Sequence, residues 1–473
     1  MQQLLINSLP EIALIIGVLH LLFLYITANE STRNYVSAAR FWLLISLLGS
    51  IIFYDKSLYP GYFQNNAYTF LWITIIDILT YVLLEVSASW FLSQSKTGCR
   101  YYMLLLLATL NINIWLTATD LLVLGLSGLL MIIINYYFLK IDYDKQQTQS
   151  SSLLYIKVLM MVFLLLGISY AYIYSWMGNT SYGALKEFIE INQSNPLVFA
   201  TFTGVIVFFL CFLGIAPFHI LAEEKTGKSI LPVAHYFAIV MPLALWGVFI
   251  KINLIIFPFY APIITKSYLI FGLLSVIFGA IGANARINLH RIYAYSSLYH
   301  FGIILLLLSL GNMSAIFIAY LYLLTYILGL NGAYLTFYSL KSHGEYMSSV
   351  TALSGLAKTR PYTMGVLLIS LFSLMGLPPL AGFLGQIGFI HEMLNKEYYT
   401  CLCVVLIFLL FIAKAYLEII KTAYFDEKTK IFDRENRFVL FYALLNTIVV
   451  IVMVFNPFEM MEKLKDMFYV IFL

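Results

Sequence analysis

Charge is the scarce commodity in this chain. Of 473 residues only 11% are Asp, Glu, Lys or Arg, less than half the share of roughly 25% in a soluble globular domain. The formal net charge is +4, too small for a surface that gathers a polyanion, so nucleic acid is excluded as a partner. Cysteine is nearly absent: Cys99, Cys211, Cys401 and Cys403. Four isolated thiols give no disulfide framework. Cys401 and Cys403 are too close for a zinc or iron–sulfur pair, and on a helix they point in different directions. No metal centre is expected. The chain also lacks a glycine-rich nucleotide loop, a serine or cysteine nucleophile constellation and a haem-ligand pair. No soluble substrate and no catalytic residue of its own are therefore expected.

Apolar residues fill the space that charge leaves. They make up 62% of the chain, and the mean hydropathy is +0.90. Runs of roughly 20 apolar residues read as membrane spans. Fourteen are expected, at 4–27, 38–54, 66–94, 101–118, 119–139, 152–176, 196–222, 230–256, 265–284, 292–310, 313–338, 361–394, 400–424 and 436–456. The fold class is an all-α integral membrane protein, a single polytopic domain over 1–473. Within it, 1–100 holds three N-terminal helices, 101–256 a first repeat, 265–424 a second, and 436–473 a last helix with an amphipathic tail (Glu459, Glu462, Lys463, Lys465, Asp466). The first span lacks a basic flank and a small-residue cleavage site, so it reads as a span and not as a signal peptide.

Basic residues test the count. Eighteen of the 27 Lys and Arg fall in loops after odd-numbered spans, Arg40 among them, and five in loops after even-numbered spans: Lys56, Lys186, Lys251, Lys266 and Lys396. Odd loops then face the cytoplasm or mitochondrial matrix, and both termini face the other side.

A charge at a helix centre costs on the order of 2.5–3.5 kcal/mol on insertion scales, so polar residues at depth are worth naming singly. Lys157 either snorkels to the interface or is a buried proton exchanger. Lys414 and Glu418, four apart on one face, are an ion pair or a proton relay. Asp77 and Glu85 lie within about 80° of each other on one helix and either meet a partner subunit or bond internally. Asp120 suits a helix N-terminus. His219, His235 and His300 sit near helix breaks, as core residues or as a shared polar axis. The breaks themselves are marked by Pro217 and by Pro378-Pro379. Broken helices occur where a cavity satisfies the freed backbone. The two breaks lie five spans apart, and an odd offset implies inverted repeats over spans 4–8 and 9–13.

Several stretches carry a resemblance: Tyr101 to Thr109, the run Asn111 to Leu122, Ala216-Pro-Phe-His219, Asn288 to Ser297 with His300, and Phe372 to Phe383. Through them the chain resembles the subunit 2 family of respiratory complex I, called subunit N in bacterial NADH–quinone oxidoreductase. This is a family of antiporter-like membrane subunits, and the likeness runs from about Leu4 to Phe425. It implies membership of a proton-translocating NADH:ubiquinone oxidoreductase, as a subunit without a redox site. FMN, iron–sulfur clusters and quinone are implied in partner subunits, with other membrane-arm subunits and lipids as neighbours. It also implies a central line of charges, a glutamate in span five and lysines in spans seven, eight and twelve. Here those positions are Leu129, Phe212, Pro242 and Gln386. Lys157, His219 and His300 match the family, whereas Lys414 and Glu418 depart from it.

Two expectations follow. Either the chain is a spacer between pumping subunits, which is favoured, or a rerouted path uses Lys157, His235, His300 and Lys414–Glu418. Alternatives are a membrane subunit of a multi-subunit cation/proton antiporter or of a hydrogenase-type complex; a stand-alone transporter has too few midplane polar groups. The 37 Phe and 36 Tyr suit an AT-rich, organellar genome. A mitochondrial inner membrane is expected, with a bacterial plasma membrane as the alternative.

Overall fold

The computed structural model describes residues 8–27, 31–52, 62–94, 98–141, 146–191, 196–256, 262–427 and 431–455. The tail residues Glu459, Glu462, Lys463, Lys465 and Asp466 lie outside them, as does Lys56. The described chain is almost wholly helical. In order the helices are α1 Leu9–Ile26, α2 Thr32–Ile52, α3 Ala67–Ser93, α4 Cys99–Thr117, α5 Leu121–Leu139, α6 Gln146–Met177, α7 Tyr182–Ile191, α8 Pro196–Leu213, α9 His219–Gly227, α10 Leu231–Ala238, α11 Val240–Ile256, α12 Pro262–Asn284, α13 Leu289–Ser309, α14 Met313–Phe337, α15 Leu356–Thr359, α16 Pro361–Met375, α17 Ala381–Asn395, α18 Tyr399–Phe425 and α19 Arg437–Val452. Eleven stretches are long and apolar enough to cross a membrane, and Thr203–Leu213, Pro361–Met375 and Arg437–Val452 are shorter apolar helices. The chain is a multi-pass membrane protein.

Local sequence explains the helix ends. Asn66 and Thr69 form a capping box at the start of α3, with Asn66 Oδ1 accepting from the Thr69 amide at 3.0 Å and Thr69 Oγ1 from the Asn66 amide at 2.8 Å. Asp120 caps α5, accepting from the Leu122 amide at 2.8 Å, and takes the Thr180 hydroxyl at 2.8 Å as well. Both expected breaks open on a left-handed glycine, Gly214 (φ 74°) and Gly376 (φ 73°), a conformation that a side chain disfavours. A third break was not expected. Span 230–256 is split at Ile239 into α10 and α11. Pro242 causes it: without an N–H, its ring crowds the carbonyl four residues back, at Ala238, where α10 ends.

Two compact units divide the chain. One holds the described residues up to Leu213 and those of 240–260; the other holds 214–239 and those from 261 to 464. Helices α9 and α10 belong with the second unit.

In the first unit, backbone bridges tie the loops at one end. The Gln64 amide donates to Thr117 O, Thr119 to Tyr62 O, Leu121 to Thr180 O and Tyr182 to Thr119 O, each at 2.9 Å. Lys251 closes this clasp. It was expected in a loop but lies buried in α11, where its ammonium donates to Leu116 O at 2.7 Å and Ala118 O at 2.8 Å. A cation there suits the free carbonyls at the C-terminus of α4. Lys251→Met leaves both carbonyls without that donor and is expected to cost about 1–3 kcal/mol. Thermal unfolding in nanodiscs would read it as a lower midpoint.

The second unit has its own clasp. The Leu289 amide donates to Ser348 O at 2.7 Å and the Val350 amide to Ile287 O at 2.9 Å. Asn288 caps α13 and bridges Ser349, as Asp120 caps α5 and bridges Ser181. Asn288 and Ser349 each stand 168 residues after their counterparts. The same joint is thus built once in each unit.

Glycines bring α12 and α13 together. A Cβ on Gly279 would lie 2.4 Å from the Tyr299 amide nitrogen, and one on Gly302 would lie 2.7 Å from Gly272 O. Only bare backbone permits that approach, the usual means of packing helices where no water drives association.

The 341–360 loop is ordered by a hairpin, Lys341–Ser342 against Glu345–Tyr346. Asp433 holds it, accepting from the His343 amide at 2.9 Å and the Gly344 amide at 2.8 Å. Those amides, Gly344 first, with the charge of Lys341, hold the Asp433 carboxyl below its usual value. A depressed carboxylate stabilises the fold above its unfolded value and ceases to do so as pH falls through the folded one. The protection factors of the His343 and Gly344 amides, taken relative to intrinsic exchange at each pH, are therefore expected to fall on acidification below the ordinary carboxylate range. Asp433→Asn should remove that pH dependence.

Candidate functional site

The second unit carries a connected polar interior. His300, on α13, is buried between two tyrosines: Nδ1 lies 2.8 Å from the Tyr322 hydroxyl and Nε2 lies 3.2 Å from that of Tyr416. The Tyr416 hydroxyl in turn bonds Ser296 Oγ. Every member of Tyr322–His300–Tyr416–Ser296 can both donate and accept, as a proton relay requires. A cavity of about 10 Å³ opens beside His300, lined by Tyr322, Thr325, Tyr326, Ser373 and Gln386. That is room for one water. The Nε2 of Gln386 is buried and finds no protein partner, which gives such a water an added donor. Buried hydroxyls of Tyr293, Tyr299 and Tyr334 also lack protein partners.

His235, on α10, belongs to a separate network. Its Nε2 donates to Asn331 Oδ1 at 2.8 Å, Asn331 Nδ2 donates to Asn446 Oδ1 at 3.0 Å, and Asn446 Nδ2 ends on Leu328 O at 2.9 Å. The ring stacks on Tyr334, 5.3 Å between centroids. Side-chain amides fix geometry but hand no proton on, so this chain braces α10, α14 and α19 and does not conduct.

The first unit contrasts with this. Phe212 is buried and packs on Phe208 (5.5 Å) and Trp115 (5.9 Å), while Phe209 stacks on Trp115 (6.0 Å) and on Phe249 (5.2 Å). Gly128 makes room for this cluster, since a Cβ there would lie 3.2 Å from Phe208. Leu129 is half-buried and Pro242 buried. Leu129, Phe212 and Pro242 can neither hold a proton nor order water, and the aromatic rings close the space between α4, α8 and α11.

Residues 118–412 match the family described as the NADH:quinone oxidoreductase/Mrp antiporter transmembrane family. The chain belongs to this family. One relative within the antiporter-like family, named NADH-quinone oxidoreductase subunit N, from Pelagibacter ubique, is 28% identical over 469 residues, covering 96% of this chain and 97% of that one. The fold is also that of a chain of respiratory complex I from Thermus thermophilus, with a TM-score of 0.81 at 19% identity over 96% of this chain and 98% of the other. A chain of the Mrp complex from Dietzia sp. superposes with a TM-score of 0.83 at 18% identity over 98% and 96%. The antiporter-like fold is thus shared across both kinds of assembly.

Against the line of charges that the family resemblance implies, the expected side chains scatter. Gln386, in the span-twelve lysine position, does face His300 across the cavity. Lys157 is exposed on the outward face of α6. Lys414 and Glu418 are exposed on α18, and no ion pair joins them among the described residues. Of the residues named for a rerouted path, His235 and His300 are buried, and Lys157, Lys414 and Glu418 are exposed. His219 is half-buried, stacked on Phe278 at 5.2 Å. Of the two acids on α3, Glu85 is paired internally with Arg40, whose Nη2 donates to Oε2 at 2.8 Å. Arg40 lies within α2 and not in the loop to which the sequence reading assigned it; removing Arg40 and Lys251 from the loop count leaves the sense of the charge bias unchanged. Asp77 is fully buried beside Ser46, and neither carboxyl oxygen has a hydrogen-bond partner of good geometry. Sequence reasoning missed Tyr416, Asn331, Lys251 and Arg40. Only the two cations carried a usable signal, a lone charge inside an apolar run.

Proposed function

We propose that the chain is the subunit-N-type member of the membrane arm of an NADH–quinone oxidoreductase, and that it holds neighbouring membrane subunits in place without carrying protons along a charged line of its own. Full-length alignment with relatives named for that subunit supports the assembly. The observation that carries the spacer reading is Phe212, buried among Phe208, Phe209 and Trp115 where the resemblance calls for a lysine. Electron transfer is assigned to partner subunits, which would hold FMN, iron–sulfur clusters and quinone. The chain's own contacts are with membrane-arm subunits and lipid, in the inner membrane of a mitochondrion on the grounds of its Phe and Tyr usage. The matched relatives named here are bacterial, which supports a plasma membrane instead, and cell fractionation decides between them.

The test is the proton-to-electron ratio of the purified assembly oxidising NADH. Tyr416→Phe and His300→Gln interrupt the Tyr322–His300–Tyr416–Ser296 relay and are expected to leave that ratio unchanged. A reduced ratio with assembly and NADH oxidation intact would overturn the spacer reading. Absence of the chain from an NADH-oxidising assembly would overturn its membership.

A further inference from the structure

The outward face of α18 carries charges that nothing in the described chain balances. Lys414, Glu418 and Lys421 are exposed and fall at i, i+4 and i+7, a single stripe of the helix. Leu410, Phe411 and Leu417 surround them, all exposed. The inward face of the same helix carries Tyr416, packed into the protein.

Depth separates Lys414 from ordinary snorkelling residues. At 1.5 Å per residue, the 27 residues of α18 span roughly 40 Å, and Lys414 stands about 3 Å past the midpoint. The hydrocarbon core is about 30 Å thick, so the nearer interface is about 12 Å away, roughly twice a lysine's reach. A helical side chain also leans toward the helix N-terminus, which carries Lys414 away from that interface. Lys157 differs on both counts. It stands five residues into the apolar span that begins at Ser152, and it leans toward the near surface.

We propose that this stripe docks a transmembrane helix of a neighbouring subunit of the same assembly, one that sets a carboxylate level with Lys414. A charge at this depth persists when it is paired. Two other occupants fit poorly. A lipid phosphate drawn to Lys414 would sit one turn from the Glu418 carboxylate. A second copy, related by a two-fold axis along the membrane normal, would set Lys414 level with Lys414. The inference rests on the reading that the chain sits in a multi-subunit membrane arm.

The test places a photoreactive benzophenone side chain at Leu410 and, separately, at Leu417 in the intact assembly. Both are expected to crosslink to one membrane subunit. Adducts with lipid alone, or with a second copy, would overturn the docking surface. Lys414→Met should lower the yield of assembled complex about tenfold, because the partner's acid is left buried and unpaired, and Lys414→Arg should restore it. Equal yields for all three chains would count against the proposal. If the chain copurifies without an NADH-oxidising arm and Leu410 still crosslinks to a membrane protein, the assembly reading fails and the docking surface stands. If it copurifies with that arm and forms only lipid adducts, the docking surface alone fails.

Discussion

Replacing Arg40 with methionine is expected to cost about 3–5 kcal/mol, the typical loss when one member of a buried ion pair is removed. The asymmetry of the pair sets the size. The Glu85 side chain is 2% exposed and that of Arg40 41%, so the group left behind is the carboxylate in α3, with no water to take over from the guanidinium. Two parallel bonds to the carboxylate make the arginine hard to replace by lysine. The double substitution Arg40→Met with Glu85→Leu should recover most of the loss, because the desolvation of the charge disappears with it. Denaturant unfolding of the four chains in one detergent, read as a double-mutant cycle, measures the coupling. Additive losses would mean that the pair contributes nothing beyond its separate members.

Gly382→Ala is the second large effect. A Cβ at that position would stand 1.7 Å from the carbonyl oxygen of Ser373 and 2.7 Å from its carbon. Backbone cannot swing aside as a side-chain end can, so α16 and α17 must separate. The cost should exceed the roughly 1–3 kcal/mol of ordinary overpacking. The Gly382 amide, which donates to Ser373 Oγ at 3.1 Å, would lose its partner as well. Gly365→Ala in α16 is the control, because nothing lies within 4 Å of a Cβ there. Protease resistance of the membrane-inserted chain should fall for the first variant and hold for the second.

Much of this fold was legible from hydropathy and from a few capping residues. Asp120 reads as a cap because a carboxylate before an apolar run has little else to do, and it is one. The breaks at Pro217 and Pro378 were legible from proline, yet Pro242, noted only as a missing lysine, breaks its span for the same reason. What hydropathy could not give is the direction in which each side chain faces. In a bilayer the outward face of a helix is as apolar as the inward one, so the periodicity that orients a soluble helix is silent. Lys157, Lys251 and Lys414 look alike in sequence, each a lone cation in an apolar run. The structure separates them into an exposed residue near one end of its apolar span, a buried clamp on two carbonyls, and an exposed charge at depth. Glu85 and Arg40 pair across 45 residues, a separation that no local pattern reports.

The close approach of α12 and α13 bears on how the chain enters its membrane. Helix α13 carries His290, His300 and three tyrosines, and 94% of its most apolar stretch is covered by protein, against 39% for α12. Alone in lipid, α13 would present most of that polar surface to acyl chains. Four residues separate the two helices, and their glycines allow backbone to meet backbone before any later helix is made. The nascent chain is therefore expected to leave the insertion machinery as a hairpin, with α12 waiting for α13 and shielding it. Valine at Gly279 would then act during synthesis, trapping a half-inserted chain that no later ligand or partner could rescue.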